Sequence, residues 1–140
     1  PHYDLILIDT PPSLGIVSVN ALVASTGVVV PVQTEYFALE GLALLSGTIR
    51  EVRALLNPTL GVDGVLMTMH APTTLNHQVA SELREAFPRL VVEPAIRRNI
   101  RLAEAPSHGI PIHLHQPNSA GGQDYRDVVS VLERRWGLKR

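Results

Sequence analysis

Apolar residues along the chain fall in short blocks separated by proline, glycine and charge. Tyr3–Asp9 carries four consecutive apolar residues and ends in an acid. A short unbroken apolar run of this kind predicts a strand covered on both faces, as in a parallel sheet. Thr10–Leu14 holds Pro11 and Pro12 and reads as a turn, Gly15–Ser25 as a short apolar helix, and Gly27–Val32 as a second buried strand. Over Leu39–Leu56 the apolar positions Leu42, Leu45, Ile49, Val52 and Leu56 lie 3, 4, 3 and 4 apart. That spacing puts them on one face of a long amphipathic helix, which Asn57-Pro58 stops. Gly61–Met69 predicts a third strand. Leu75–Phe87 predicts a helix with Val79, Leu83 and Phe87 on one side, closed by Pro88. Leu90–Val92 is a short fourth strand, Ile100–Ala105 one or two helical turns ended by Pro106, and Ser119–Trp136 a last helix with Val128, Val131, Leu132 and Trp136 inward. Strands alternating with helices give an α/β class: a mostly parallel sheet with flanking helices. No repeat and no linker-like stretch divides the chain, so one domain is expected over residues 1–140.

Composition narrows the chemistry. The 140 residues are 45% hydrophobic and contain no cysteine, which excludes disulfides, thiolate metal sites and cysteine nucleophiles. The one lysine is Lys139, so a mechanism that needs a lysine inside the folded site is excluded as well. Net charge is −1, but residues 1–80 hold 2 basic and 6 acidic side chains against 10 and 7 in residues 81–140. An anion-attracting surface is therefore expected in the second half. Thr10–Thr34 is free of charge for 25 residues. Its prolines at both ends and its β-branched centre read as loop, helix and buried strand rather than a membrane helix. No leader of the secretory type is seen, and a cytoplasmic protein with no membrane partner is expected. The chain begins with Pro1 rather than Met, as expected of a processed product or a fragment.

Ligands of open parallel sheets bind beyond the C-terminal ends of the strands. Asp9 is the clearest candidate there, a carboxylate directly after the apolar run and before Thr10-Pro-Pro-Ser13. An acid so placed can hold Mg²⁺ through water beside bound phosphates, or can simply cap and pair locally. A receiver domain would need a lysine at a later strand end. A haloacid-dehalogenase-type site would need a second Asp two residues on, where Pro11 stands. A nucleoside triphosphatase would use Asp9 as its Walker B acid, but no G-x-x-x-x-G-K-[ST] loop occurs in the chain. Arg97, Arg98 and Arg101 form a basic cluster suited to phosphate contacts with DNA, or to local ion pairs with Glu93 and Glu104. Arg50 and Arg53 suit the surface of the long helix. Gln33 and Glu35 follow a strand end and suit positioning roles, and His108 suits a loop-fixing hydrogen bond. His70, His77, His113 and His115 lack the dense spacing of a metal site, and Ser13 lacks a nucleophile elbow.

Asp4-Leu-Ile-Leu-Ile-Asp-Thr-Pro-Pro-Ser-Leu-Gly15 resembles the Walker B and switch II segment of ParA-type (Soj-type) partitioning ATPases, and Asn20-Ala-Leu follows as it does there. Pro31-Val-Gln-Thr-Glu-Tyr-Phe-Ala-Leu-Glu-Gly-Leu42, Gly64–Met69, and Arg98-Asn-Ile-Arg-Leu-Ala-Glu-Ala-Pro-Ser-His-Gly109 are similar to later segments of that family, in order. Ser119–Trp136 is similar to its last helix. The MinD branch more often has Pro-Ala-Gly after the aspartate.

The resemblance implies a P-loop NTPase-like fold of which this chain is a partial domain, from the Walker B strand to the C-terminus, with P-loop and switch I upstream. It implies ATP and Mg²⁺ as cofactors, an ATP-dependent homodimer, non-specific DNA, and a ParB/Spo0J-type partner that stimulates hydrolysis, on the nucleoid. Asp9 becomes the catalytic acid that orients Mg²⁺ through water. Thr10 and Pro11 lie in switch II, facing the γ-phosphate. Met69, Arg97, Arg98 and Asn99 fall around the adenine pocket, and Arg101, Arg98 and Arg97 on the DNA face. This sequence has His70-Ala-Pro-Thr-Thr-Leu75 where the family often has Asp-Ala-Arg-Thr-Asn-Leu, Arg97 where many relatives have Pro, and Ala120 in place of a common Arg. The chain by itself is expected neither to bind nor to hydrolyse ATP. A non-enzymatic truncation keeping a DNA- or partner-binding surface is the alternative expectation.

Overall fold

The computed structural model describes residues 2–138, so Lys139 lies outside the described residues. The elements run α1 (Ile16–Ala24), β1 (Gly27–Gln33), α2 (Ala38–Leu55), β2 (Gly61–Thr68), α3 (Thr74–Ala86), β3 (Val91–Val92), α4 (Ile100–Glu104), a 3-10 turn (Ala105–His108), α5 (Ile112–His115) and α6 (Ala120–Arg135). The three strands form one sheet in the order β1-β2-β3, parallel throughout. Parallel neighbours need a crossover between them, and α2 and α3 supply the two crossovers.

Each face of the sheet carries its own core. On one face Val30, Val32, Val65 and Met67 of the strands meet Leu42 of α2 and Val79, Ala80 and Leu83 of α3. On the other, Leu66 and Val92 meet Ile96 and the Val128 and Leu132 stripe of α6. A third cluster, Leu22, Ile49, Val52 and Leu60, packs α1 against α2. The helix faces are those the apolar spacing predicts, because each helix buries its apolar stripe, except at Leu56, which lies just past the end of α2 and is 57% exposed. The foot of α6 is tied down by polar contacts. Trp136 Nε1 donates to Asp63 at 2.8 Å, and Arg135 donates to the backbone carbonyls of Asp63, Leu90 and Val91.

One expected element is absent. Tyr3–Asp9 runs without strand pairing among the described residues, and its apolar side chains are 42–77% exposed. A strand needs a ladder of hydrogen bonds and cover for its side chains. This segment lines a cleft beside Val28–Pro31 of β1 but makes no ladder with that edge. Pro31 within β1 suits an edge position, since proline cannot donate to a ladder. Two smaller differences follow from local chemistry. The chain continues past Pro106 in a 3-10 turn, because proline is tolerated in the first turn of a helical segment. The single turn α5, after Pro111, is too short to show a period.

Candidate functional site

A cleft of about 770 Å³ opens beyond the C-terminal ends of β1 and β2. Gln33 at the end of β1 and Glu35, Tyr36 and Phe37 of the loop after it border one side, and Met69, Ala71 and Thr73 of the loop after β2 with Asn76 in the first turn of α3 border the other. Arg98 reaches it from a third segment, its Nη2 3.9 Å from Glu35 Oε1. The volume lies in the range of pockets that enclose small organic ligands. Tyr36 and Phe37 meet edge to face at 5.1 Å and stay exposed at the rim.

Its floor is held by a buried polar knot. Thr34 is fully buried at the end of β1, and its hydroxyl donates to Asn76 Oδ1 at 2.9 Å. The same Oδ1 accepts the Ala71 N–H at 2.7 Å. His70 Nδ1 lies 3.3 Å from Thr34 Oγ1. Since the single hydroxyl proton goes to Asn76, that contact calls for a proton on Nδ1. Burial first, then the neighbouring His77, hold the His70 imidazole below its ordinary pKa. Met69, just before it, has φ 52°, a left-handed conformation uncommon for a side chain of that size. This turn aims the Met69 side chain at the cleft while His70 returns to pair with Arg97.

The residues singled out from sequence are not all gathered here. Met69 and Arg98 line the cleft together, with Gln33 and Glu35. Asp9, Thr10 and Pro11 line a second cleft, of about 1280 Å³, that adjoins the first along Val30 and Pro31. Arg97, Asn99 and Arg101 line neither. Arg97 turns its guanidinium onto Asp124 of α6 (2.7 Å from Nη2 to Oδ1), away from the cleft. Asn99 caps α4, accepting the Arg101 N–H at 2.9 Å. Arg101 is on the surface and pairs with Glu104 at 2.7 Å, while Glu93 pairs with Arg84. His108 stacks on His115, ring centroids 4.7 Å apart. Sequence reasoning missed Thr34, Asn76 and Asp124.

The donor set fits one hard cation held loosely. Asp9 supplies an exposed carboxylate that forms no ion pair among the described residues. Among the described residues no group of three or more His, Asp or Glu gathers that would cage a metal. A single carboxylate is what Mg²⁺ uses when water and phosphate oxygens complete its shell. Among the described residues no helix is long and apolar enough to cross a membrane.

A family model described as an AAA domain matches residues 1–62. The chain superposes on the crystal structure of cobyrinic acid a,c-diamide synthase from Mycobacterium smegmatis, solved with bound ATP analog and magnesium. The TM-score is 0.70 at 30% identity, covering 94% of this chain and 47% of that one. By fold it is therefore a P-loop NTPase-like α/β protein. It is 54% identical over 134 residues to the chromosome-partitioning ATPase Soj of Thermus thermophilus, covering 95% of this chain and 54% of that protein. It is 52% identical over 132 residues to the sporulation initiation inhibitor protein Soj of Bacillus subtilis, covering 94% of this chain and 52% of that protein. The chain belongs to the ParA/Soj family, and it spans about half the length of these relatives.

Proposed function

We propose that this chain is the part of a ParA/Soj-type ATPase from its Walker B acid to its C-terminus. The whole protein would use ATP-driven dimerisation and non-specific DNA binding to segregate a chromosome or plasmid, on the nucleoid in the cytoplasm. A ParB/Spo0J-type protein would stimulate hydrolysis. The observation that carries the reading is 52–54% identity, over almost the whole chain, to two Soj proteins, one of them named a chromosome-partitioning ATPase. The cleft at the strand ends agrees with it, since that is where open parallel sheets bind ligands.

In this reading Asp9 holds Mg²⁺ through water, and the metal neutralises charge on the transferring phosphoryl group. Thr10 and Pro11 shape the switch beside the γ-phosphate, Pro11 by fixing φ. Met69 and Arg98 border the nucleotide, and Asn99 sets the start of α4. Arg101, exposed on α4, would meet DNA phosphate once it leaves Glu104, with Arg98 beside it. The 140 residues by themselves do not bind ATP tightly, because among the described residues no other cation in the first cleft joins Arg98.

The test expresses the protein with whatever residues its gene places before Pro1. With Mg²⁺ and ATP it should hydrolyse ATP and be retained on unrelated DNA. Asp9→Asn should lower kcat by roughly 10²-fold or more, the scale seen when one electrostatic partner of a developing charge is removed. Hydrolysis unchanged by Asp9→Asn would remove the residue from the mechanism and the reading with it.

A further inference from the structure

The buried acid that the nucleotide reading leaves unused is Asp124. It lies in the second turn of α6, and its side chain is 5% exposed. Among the described residues every hydrogen bond it accepts comes from Arg97. The Arg97 backbone N–H reaches Oδ2 at 3.0 Å, Nε reaches Oδ2 at 2.9 Å and Oδ1 at 3.2 Å, and Nη2 reaches Oδ1 at 2.7 Å. Nη2 also contacts the Ala120 carbonyl at 3.4 Å. This is a fork-on-carboxylate pair with a main-chain donor added, the most direction-specific contact that two charged side chains make. Burial alone would raise the Asp124 carboxyl, but the hydrogen bonds and charge of Arg97 outweigh it and hold it below the ordinary carboxylate range.

What the pair holds is a short segment between two functional places. Ile96 donates its N–H to Met67 O, His70 donates to Ile96 O, and Arg98 donates to His70 O, so residues 96–98 are zipped to the end of β2. Ile96 packs with Val128, one turn along α6 from Asp124. Two consecutive residues are therefore fixed by one face of α6. The next, Arg98, leans over the cleft beside Glu35, and Asn99 after it caps α4, which carries Arg101. A surface arginine is mobile when only solvent surrounds it; here its backbone origin is set by the neighbour pinned to α6.

We infer that Asp124 is a positioning residue: through Arg97 it fixes the turn that presents Arg98 to the cleft and starts α4. Arg97 on this assignment works inward, as the clasp, and contacts neither nucleotide nor DNA. The structural half of the inference stands on the geometry alone; its effect on ATP rests on the function proposed above.

The experiment uses the protein with its gene's own upstream residues and compares it with Asp124→Asn and Arg97→Gln, the second keeping the buried carboxylate. Amide hydrogen exchange without nucleotide reads the clasp. Exchange at Arg97 and Arg98 should quicken by about tenfold or more in both variants, while Leu66 and Met67 in β2 keep the wild-type rate, since a local opening leaves the core closed. With MgATP, Asp124→Asn should raise KM by about tenfold and leave kcat within about twofold, the pattern of lost ground-state positioning. Unchanged exchange at 97–98, or exchange quickened equally through β2, would overturn the clasp. A loosened turn with unchanged KM in an active enzyme would overturn its role in presenting Arg98. A wild-type protein with no ATP turnover would refute the proposed function instead, and the exchange result would still decide the clasp.

Discussion

At the scale of single residues, His70 is the group whose ionisation matters most to the cleft floor. Its ring is half-buried against Thr34 and stands 5.3 Å from His77, with Arg84 adding positive charge and Glu93 opposing it. Burial, the largest effect, lowers its pKa in the folded state below that of the unfolded chain. The unfolded chain then takes up the proton first as pH falls below about 6.5, so stability declines through that range and is recovered above it. Urea midpoints should accordingly fall between pH 7.5 and pH 5, and by less in His70→Gln, which does not titrate. Parallel pH profiles for the two proteins would clear His70. The residues that build this floor were hard to read from sequence for a simple reason. Thr34 finds Asn76 across 42 positions, and Asp124 finds Arg97 across 27. Neither pair leaves a spacing that a helix or strand period could reveal. Asp9, Met69 and Arg98, which line the clefts, stand out in the sequence because each follows an apolar run or sits in a motif; Asp124 looks like any acid on a polar helix face.

At the scale of elements, α6 shows how packing decides what propensity cannot. Its first turn holds Gly121 and Gly122, poor helix formers, yet the helix starts there on the Ser119 cap. The reason is close approach. A Cβ on Gly122 would stand 2.7 Å from the Gln116 carbonyl oxygen and 2.9 Å from that of Pro117, both main-chain atoms with little room to yield. Gly47 in the middle of α2 has nothing within 4 Å of the same position. The same substitution should therefore have opposite signs at the two sites. Gly47→Ala should stabilise by about 0.5–1 kcal/mol through helix propensity and the unfolded chain. Gly122→Ala should destabilise by about 1–2 kcal/mol, because overpacking of about 1–3 kcal/mol exceeds the propensity gain. Urea denaturation of both variants checks this, and two shifts of the same sign would contradict the packing argument. The long helices and β1 and β2 were legible to within a residue or so because stripe and β-branched run reflect burial that does occur. The strand expected at Tyr3–Asp9 was read from the same kind of pattern, but its burial is not supplied by the elements described here.

At the scale of the whole molecule, that unpaired run turns an apparent contradiction into a measurement. Tyr3, Ile6 and Leu7 each leave about three quarters of their surface in water, next to a β1 edge that has no strand on its outer side among the described residues. An exposed apolar run beside an open parallel edge is a docking surface for a like segment of another copy. The 140-residue chain should consequently self-associate with rising concentration, and sedimentation velocity should show a species larger than 15.2 kDa. Ile6→Lys should shift it toward the monomer, with little change in urea midpoint at protein concentrations where the unmutated chain is itself monomeric, since the side chain it replaces is then already solvated. In the protein expressed with its gene's upstream residues, the sequence pattern demands the reverse. A run of four apolar residues belongs inside a sheet covered on both faces. There Ile6→Lys would bury an unpaired charge, and the loss should be several kcal/mol, enough to unfold a marginally stable domain. Tolerance in both proteins would mean that Tyr3–Asp9 never enters a sheet and that Asp9 is not held at a strand end. Intolerance in both, even where the short chain is diluted to a monomer, would mean that the run is buried within the short chain itself. Tolerance in the short chain alone is the outcome expected of a Walker B strand that finds its neighbours only in the longer protein.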